Sequence, residues 1–177
     1  MILFKGKTND LNTLFPPTLK LDEQICVRNG ISTRSKFLIG FYDIALYLGK
    51  MTEDAHTAIT SNDAKQLRMV ARRTIKGALL EKAFKDGIKA HASLDEYAAV
   101  ASAIDEVFGE LFATDSIKEG EMFTIEFSPD KGVRLNYSNH SHFPYINQAG
   151  FDQALLRTWL GDNPISQEIK KDLLGQQ

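Results

Sequence analysis

Hydrophobic positions along the chain repeat every second residue in some stretches and every three to four residues in others. In EMFTIEFSPDKGVRLNYSN, Phe123, Ile125 and Phe127 alternate with Thr124 and Glu126, and Val133, Leu135 and Tyr137 alternate with Arg134 and Asn136. Alternation of this kind gives a strand one buried face, and the intervening PDKG is turn chemistry, so the stretch predicts a β-hairpin. KQLRMVARR, from Lys65, sets Leu67, Met69 and Ala71 against Arg68, Val70 and Arg72. It predicts a strand whose arginines form a solvated face. Leu19 to Val27 reads as one strand-like run. Residues 32–50, STRSKFLIGFYDIALYLGK, are apolar on both alternating faces, as a central strand would be, yet hold Arg34, Tyr42 and Asp43.

The helical period governs three other stretches. Over residues 77–90, Leu79, Leu80, Ala83, Phe84, Gly87 and Ile88 fall on one stripe, with Glu81, Lys82, Lys85 and Lys89 on the other side. The next helix opens with Ser93 and Glu96 in capping-box spacing and buries Tyr97, Val100, Ile104, Val107, Phe108, Leu111 and Phe112, leaving Glu106 and Glu110 to solvent. Near the C-terminus, Phe151, Leu155, Leu156, Trp159 and Leu160 form a stripe stopped by Gly161 and Pro164, and a short helix follows from about Ser166 to Leu174. Trp159 is most simply a core anchor.

Strands, helices, strands and helices follow one another without a repeat, a low-complexity tract or a Pro/Gly-rich linker, an order that predicts an α+β fold. Helix stripes this apolar need a sheet to pack on, so helices over one face of a largely antiparallel sheet are expected. The 177 residues, 43% hydrophobic, suffice for the core of one domain spanning 1–177. Basic and acidic residues number 21 and 23, for a net charge of -2, with no run of one sign to attract nucleic acid or anionic lipid. No segment reaches membrane-spanning length, and MILFKGKTND is too short in apolar residues for a secretory core, which predicts a cytoplasmic protein; removal of a leader would make it periplasmic. The oligomeric state is not legible.

Other chemistry has little support. Cys26, the single cysteine, cannot form an intramolecular disulfide and reads as a small buried side chain. His140 and His142 in NHSH lack a third ligand at metal-binding spacing, and His56 and His91 stand alone near helix ends, so no metal is expected. The chain has no GxSxG elbow, no GxxxxGK[ST] and no GxGxxG, and no cofactor is expected.

NG and TRSKF within 29–37, FYDIALYL at 41–48 and, above all, GFDQALLRTWLGDNPISQEIKKDLLG at 150–175 resemble the chalcone isomerase-like family, in particular its bacterial branch. The similarity runs from about Leu19 to Gly175. It implies an open-faced β-sandwich, in which a large antiparallel sheet and a layer of helices on one face enclose a cleft for an apolar ligand. Isomerases of the family cyclise a chalcone, while other members bind fatty acids or have no established ligand. The isomerases' arginine is matched by Arg34, but their strand threonine by Tyr42. In LLEKAFKD, Leu79 stands where they have a tyrosine and Asp86 where they have an asparagine. These departures count against cyclisation, which needs hydrogen-bond donors around an anion.

The fatty-acid-binding members hold a carboxylate with an arginine and a strand tyrosine, and Arg34 with Tyr42 matches that pair in type. The resemblance thus implies a non-catalytic binder of a fatty acid or other apolar carboxylate, with Arg34, Tyr42 and Tyr47 as the ligand-binding residues and no catalytic ones. Guanidinium and phenol suit a carboxylate because they offer charge-assisted donors. On a straight strand Arg34 and Tyr42 would stand roughly 26 Å apart, so they meet only if the chain folds back between them, with Gly40 as the permissive residue. Structural alternatives are an Arg34 ion pair with Asp43, Asp63 or a helix terminus, and core packing for both tyrosines. Functional alternatives are an isomerase or intramolecular lyase acting on an enone-like substrate, and a protein-interaction module without small ligand. A cavity of several hundred Å³ ending at Arg34 marks the binder, and a cleft filled by side chains marks the interaction module.

Overall fold

The apolar N-terminal half folds back on itself as antiparallel strands. A computed structural model describes residues 13–36, 39–113, 116–137 and 143–176. The run expected from Leu19 to Val27 is two strands, β1 (Thr18–Leu21) and β2 (Gln24–Lys36), because the chain reverses at Asp22, whose φ is 51°. The apolar 32–50 stretch is likewise split between β2 and β3 (Ile39–Leu48), which pair antiparallel. Downstream come helix α1 (Ala55–Thr60), β4 (Lys65–Ala71), β5 (Ile75–Lys76), α2 (Gly77–His91), α3 (Leu94–Ala113), β6 (Ser116–Ile117), β7 (Met122–Ser128), β8 (Gly132–Tyr137), α4 (Phe151–Leu160) and α5 (Gln167–Leu173).

Among the described residues six strands form one antiparallel sheet in the order β1-β2-β3-β4-β7-β8, and β5 and β6 form a separate two-stranded ribbon. Because β4 and β7 are direct neighbours, α2 and α3 are an excursion between adjacent strands, closed at its base by the β5–β6 ribbon. The strand alternation sends Ile44, Leu46, Leu67, Met69, Phe123, Ile125 and Leu135 to the face covered by helices, where they join Leu80, Phe84 and Ile88 of α2 and Leu155, Leu156 and Trp159 of α4. A smaller cluster, Phe15, Cys26, Ala45, Tyr47, Ala64 and Val70, lies on the opposite face under the segment 13–17. The expected α+β architecture, a large antiparallel sheet with helices over one face, is the one observed.

Local chemistry sets the helix ends. Ser93 and Glu96 cap α3 reciprocally, at 3.1 and 2.9 Å, and Ser166 accepts from the Ile169 N–H at the start of α5. Buried Lys65 donates to the Ile59 carbonyl in the last turn of α1 at 2.9 Å, and burial pushes its pKa down. The two ends of the chain that carry the family resemblance touch each other. The Asn29 amide donates to the Leu173 carbonyl at 2.8 Å, Ser32 donates to Asp172 at 2.6 Å, and Gly30 lies against the backbone of residues 172 and 173.

Side chains of α2 and β4 depart from the sequence pattern, among them Ala83, expected on the buried stripe of α2 but exposed. Leu79, expected on the buried stripe of α2, is 53% exposed, because the sheet and α4 cover only the arc that carries Leu80, Phe84 and Ile88. Arg68, expected on a solvated face, is half-buried: it donates to the Gln66 side chain and the Leu14 carbonyl and its guanidinium lies 5.7 Å from the Tyr47 ring centroid. In α3, Val100 and Ile104 are buried as expected; the side chains of Val107, Phe108, Leu111, Phe112, Glu106 and Glu110 lie outside the described residues. Among the described residues no helix is long and apolar enough to cross a membrane.

Candidate functional site

Arg34 and Tyr42, eight positions apart in the chain, are direct cross-strand partners in the β2–β3 register. The ladder runs on to Lys36 opposite Ile39, and an irregularity between Arg34 and Ser35 leaves Phe41 as the extra residue on β3. Cross-strand partners share a face. For this pair it is the helix-covered one, since Tyr42 alternates in step with Ile44 and Leu46.

The Tyr42 hydroxyl accepts a hydrogen bond from Trp159 Nε1 at 3.4 Å, so its own proton is left to donate elsewhere. Burial pushes its pKa above the ordinary tyrosine value, opposed by that hydrogen bond and by the charge of Arg34. The Arg34 Nη1 donates to the Ser35 carbonyl at 3.2 Å, and among the described residues Arg34 forms no ion pair. Two of the carboxylates that a structural role would use are engaged elsewhere. Asp43, on the opposite side of the pleat, accepts from Thr33 Oγ1 at 2.7 Å and lies 3.7 Å from Arg72, and Asp63 accepts from Gln24 at 3.0 Å.

Beside Tyr42 is a narrow apolar cavity of about 50 Å³, walled by Met69 and Phe123 of the sheet, Leu80, Ala83 and Phe84 of α2, and Thr158 and Trp159 of α4. It is far smaller than the several hundred Å³ expected of a ligand cleft, because Phe84 and Trp159, in edge-to-face contact at 6.5 Å, fill the space between sheet and helices. Arg34 stands outside its walls. Thr158, 5% exposed, has a buried Oγ1 without a hydrogen-bond partner among the described residues. An unmet hydroxyl in such a wall is a latent polar contact for whatever enters. Thr158 is not among the residues that the sequence singles out; its signal is a lone hydroxyl within the apolar stripe ALLRTWL.

Tyr47 is not brought to this site. It is fully buried on the opposite face, where its hydroxyl donates to the Pro16 carbonyl at 2.8 Å. Leu79 and Asp86 also stay away from the cavity: Leu79 is exposed, and Asp86 pairs with Lys82 along the outer face of α2. Among the described residues no group of histidine, cysteine, aspartate and glutamate is arranged to hold a metal; His140 and His142 lie outside the described residues.

Comparison with known proteins adds three findings. The model of a family described as chalcone isomerase-like matches residues 11–175. A search of curated proteins by sequence finds no match. Among solved structures, a fatty-acid binding protein of Arabidopsis thaliana superposes with a TM-score of 0.67 over 90% of each chain at 12% identity, a likeness of fold alone.

Proposed function

The chain belongs to the chalcone isomerase-like family, and from that premise we propose that it is a non-catalytic binder of a fatty acid or other apolar carboxylate. The ligand's tail would enter the apolar layer between sheet and helices, and its carboxylate would meet Arg34 and Tyr42. The observation that carries this reading is the register that sets Arg34 directly opposite Tyr42 at the edge of an apolar cavity. A guanidinium without a carboxylate partner among the described residues and a phenol with a free proton make a charge-assisted site for an anion. Thr158 adds a third polar contact deeper in. The fatty-acid binding protein of the same fold lends support. Leu79 and Asp86, turned away from the cavity, supply nothing to a cyclising enone, which supports the non-catalytic side of the reading.

The cavity volume favours a second reading. At about 50 Å³ the space holds no alkyl chain without movement of α2, and a filled cleft is what a protein-interaction module would have. Trp159 separates the two readings, because it is the single tryptophan of the chain and lines the cavity. Titration with saturated fatty acids should change its emission saturably, and Arg34→Ala should weaken binding roughly tenfold to a hundredfold, the weight of a hydrogen bond to a charged group. Native mass spectrometry of the purified protein should show a co-purifying fatty acid that the variant loses. Unchanged emission together with an empty protein would move the assignment to the interaction module.

A further inference from the structure

We infer that the end of the sheet beside Tyr42 docks on an anionic lipid surface, which extends the proposed reading by naming where the ligand is collected. Tyr42 is opposite both Arg34 of β2 and Ala71 of β4, and the Arg72 N–H donates to the Phe41 carbonyl at 2.8 Å, so Arg34, Arg72, Arg73 and Lys76 gather at one end of the sheet. The residues 118–121 reach the same end, since the Gly120 N–H donates to the Ala71 carbonyl; they bring Lys118, Glu119 and Glu121, and β3 brings Asp43. Of these acids, Asp43 is paired with Arg72, while Glu119 and Glu121 keep their charges, so cations outnumber acids at this end by five to three. Among the described residues Arg34, Arg73 and Lys76 form no ion pair, and Arg73 and Lys76 are exposed. Lys76 also precedes α2 without capping it by a side chain, so the positive end of that helix adds to the same field.

Apolar side chains stand among these charges. Leu79, in the first turn of α2, is 53% exposed, Ile165 at the cavity wall is 38% exposed, and the Arg73 guanidinium lies 5.7 Å from the Phe41 ring centroid. Bases bind anionic headgroups, while exposed leucine and isoleucine gain from the acyl boundary; an acidic protein surface would answer only the charges. With a net charge of -2 over the whole chain, the remaining surface is repelled by an anionic bilayer and this end is turned toward it. The even overall balance of charge predicts no such partner. The fold assembles one from residues far apart in the chain.

Flotation with vesicles of equal parts phosphatidylcholine and phosphatidylglycerol, against phosphatidylcholine alone, tests the inference. The protein should float with the anionic vesicles only and be released by salt. The double variant Arg73→Ala/Lys76→Ala should bind them more weakly, roughly fivefold for each charge removed. In vesicle-free buffer the same variant should retain the wild-type response of Trp159 to fatty acid, which separates docking from ligand binding. Equal flotation with both vesicles, or with neither, overturns docking whatever the fatty-acid titration shows; retention on a polyglutamate resin without flotation overturns it and assigns the patch to an acidic protein. Flotation without a fatty-acid response would keep the docking surface and remove the cavity reading.

Discussion

At Tyr42 a hydrogen bond from Trp159 joins the sheet to the helices. Phenylalanine there removes the acceptor of Trp159 Nε1 and leaves a buried donor unpaired, which costs about 1–3 kcal/mol. Tyr42→Phe should therefore lower the urea midpoint and shift tryptophan emission even without ligand; an unchanged midpoint would mean that the bond carries no weight. Tyr137 makes a second residue-level prediction. Burial and then its hydrogen bond to Glu121 push its pKa up to about 12. A tyrosine whose folded pKa exceeds the unfolded value of about 10 contributes stability that is whole below pH 10 and is lost as pH rises toward 12. Thermal melts of the wild type should fall across that window, and Tyr137→Phe should flatten the fall. Of the candidate site residues, Arg34 and Tyr42 are legible by type through the family resemblance, but their meeting is not, because cross-strand register is non-local and Gly40 permits a turn in residues 37–41 without dictating one. Thr158 was hidden by its apolar neighbours.

Among the elements, α5 and α2 approach their partners through glycine, and the two contacts differ in what they can yield. A Cβ at Gly30 would stand 2.0 Å from the Asp172 carbonyl oxygen and 2.6 Å from that of Leu173, both backbone atoms of the α5 end. Gly30→Ala must lift α5 off β2, and a loss of about 3 kcal/mol is expected, the upper part of the range for overpacking. At Gly87 the Cβ would meet the Thr158 side chain at 2.8 and 2.9 Å, and alanine also gains about 1 kcal/mol of helix propensity. Gly87→Ala should thus cost less than Gly30→Ala in chemical denaturation, and equal losses would contradict the difference between rigid and side-chain neighbours. The elements most legible in the sequence are those whose period survives burial on one side, such as β7, β8 and α4. The β2–β3 hairpin is permitted but not compelled by the sequence, because strands covered on both faces lose their alternation. Leu79 was placed in the core because a hydrophobic stripe does not disclose how wide an arc the neighbouring sheet covers.

For the whole molecule, the narrow cavity and the topology lead to one expectation about motion. The sheet does not need α2 and α3 for its continuity, since β4 and β7 pair directly and the excursion is tied at its base by Ile75 opposite Ile117. Lys85 bridges Glu81 and Asp105 at 2.8 Å, joining the two helices into one body, and that body rests on α4 through Phe84 against Trp159 and Gly87 against Thr158. A cavity of about 50 Å³ must grow several-fold to reach the roughly 300 Å³ at which ligand pockets begin. Outward movement of α2 with α3 does this by loosening the packing of Leu80, Phe84 and Ile88 on the sheet and α4, whereas movement of β4 or β7 would break the central ladder. Hydrogen exchange should therefore be faster in residues 77–113 than in β4 and β7, and saturating fatty acid should slow it there first. The observed binding rate should level off with ligand concentration at the rate of opening. Ligand at a hundred times its Kd should raise stability by about 2.7 kcal/mol. Equal protection of helices and sheet, with a binding rate that climbs linearly, would mean that the excursion is no lid and that any ligand binds outside the layer it covers.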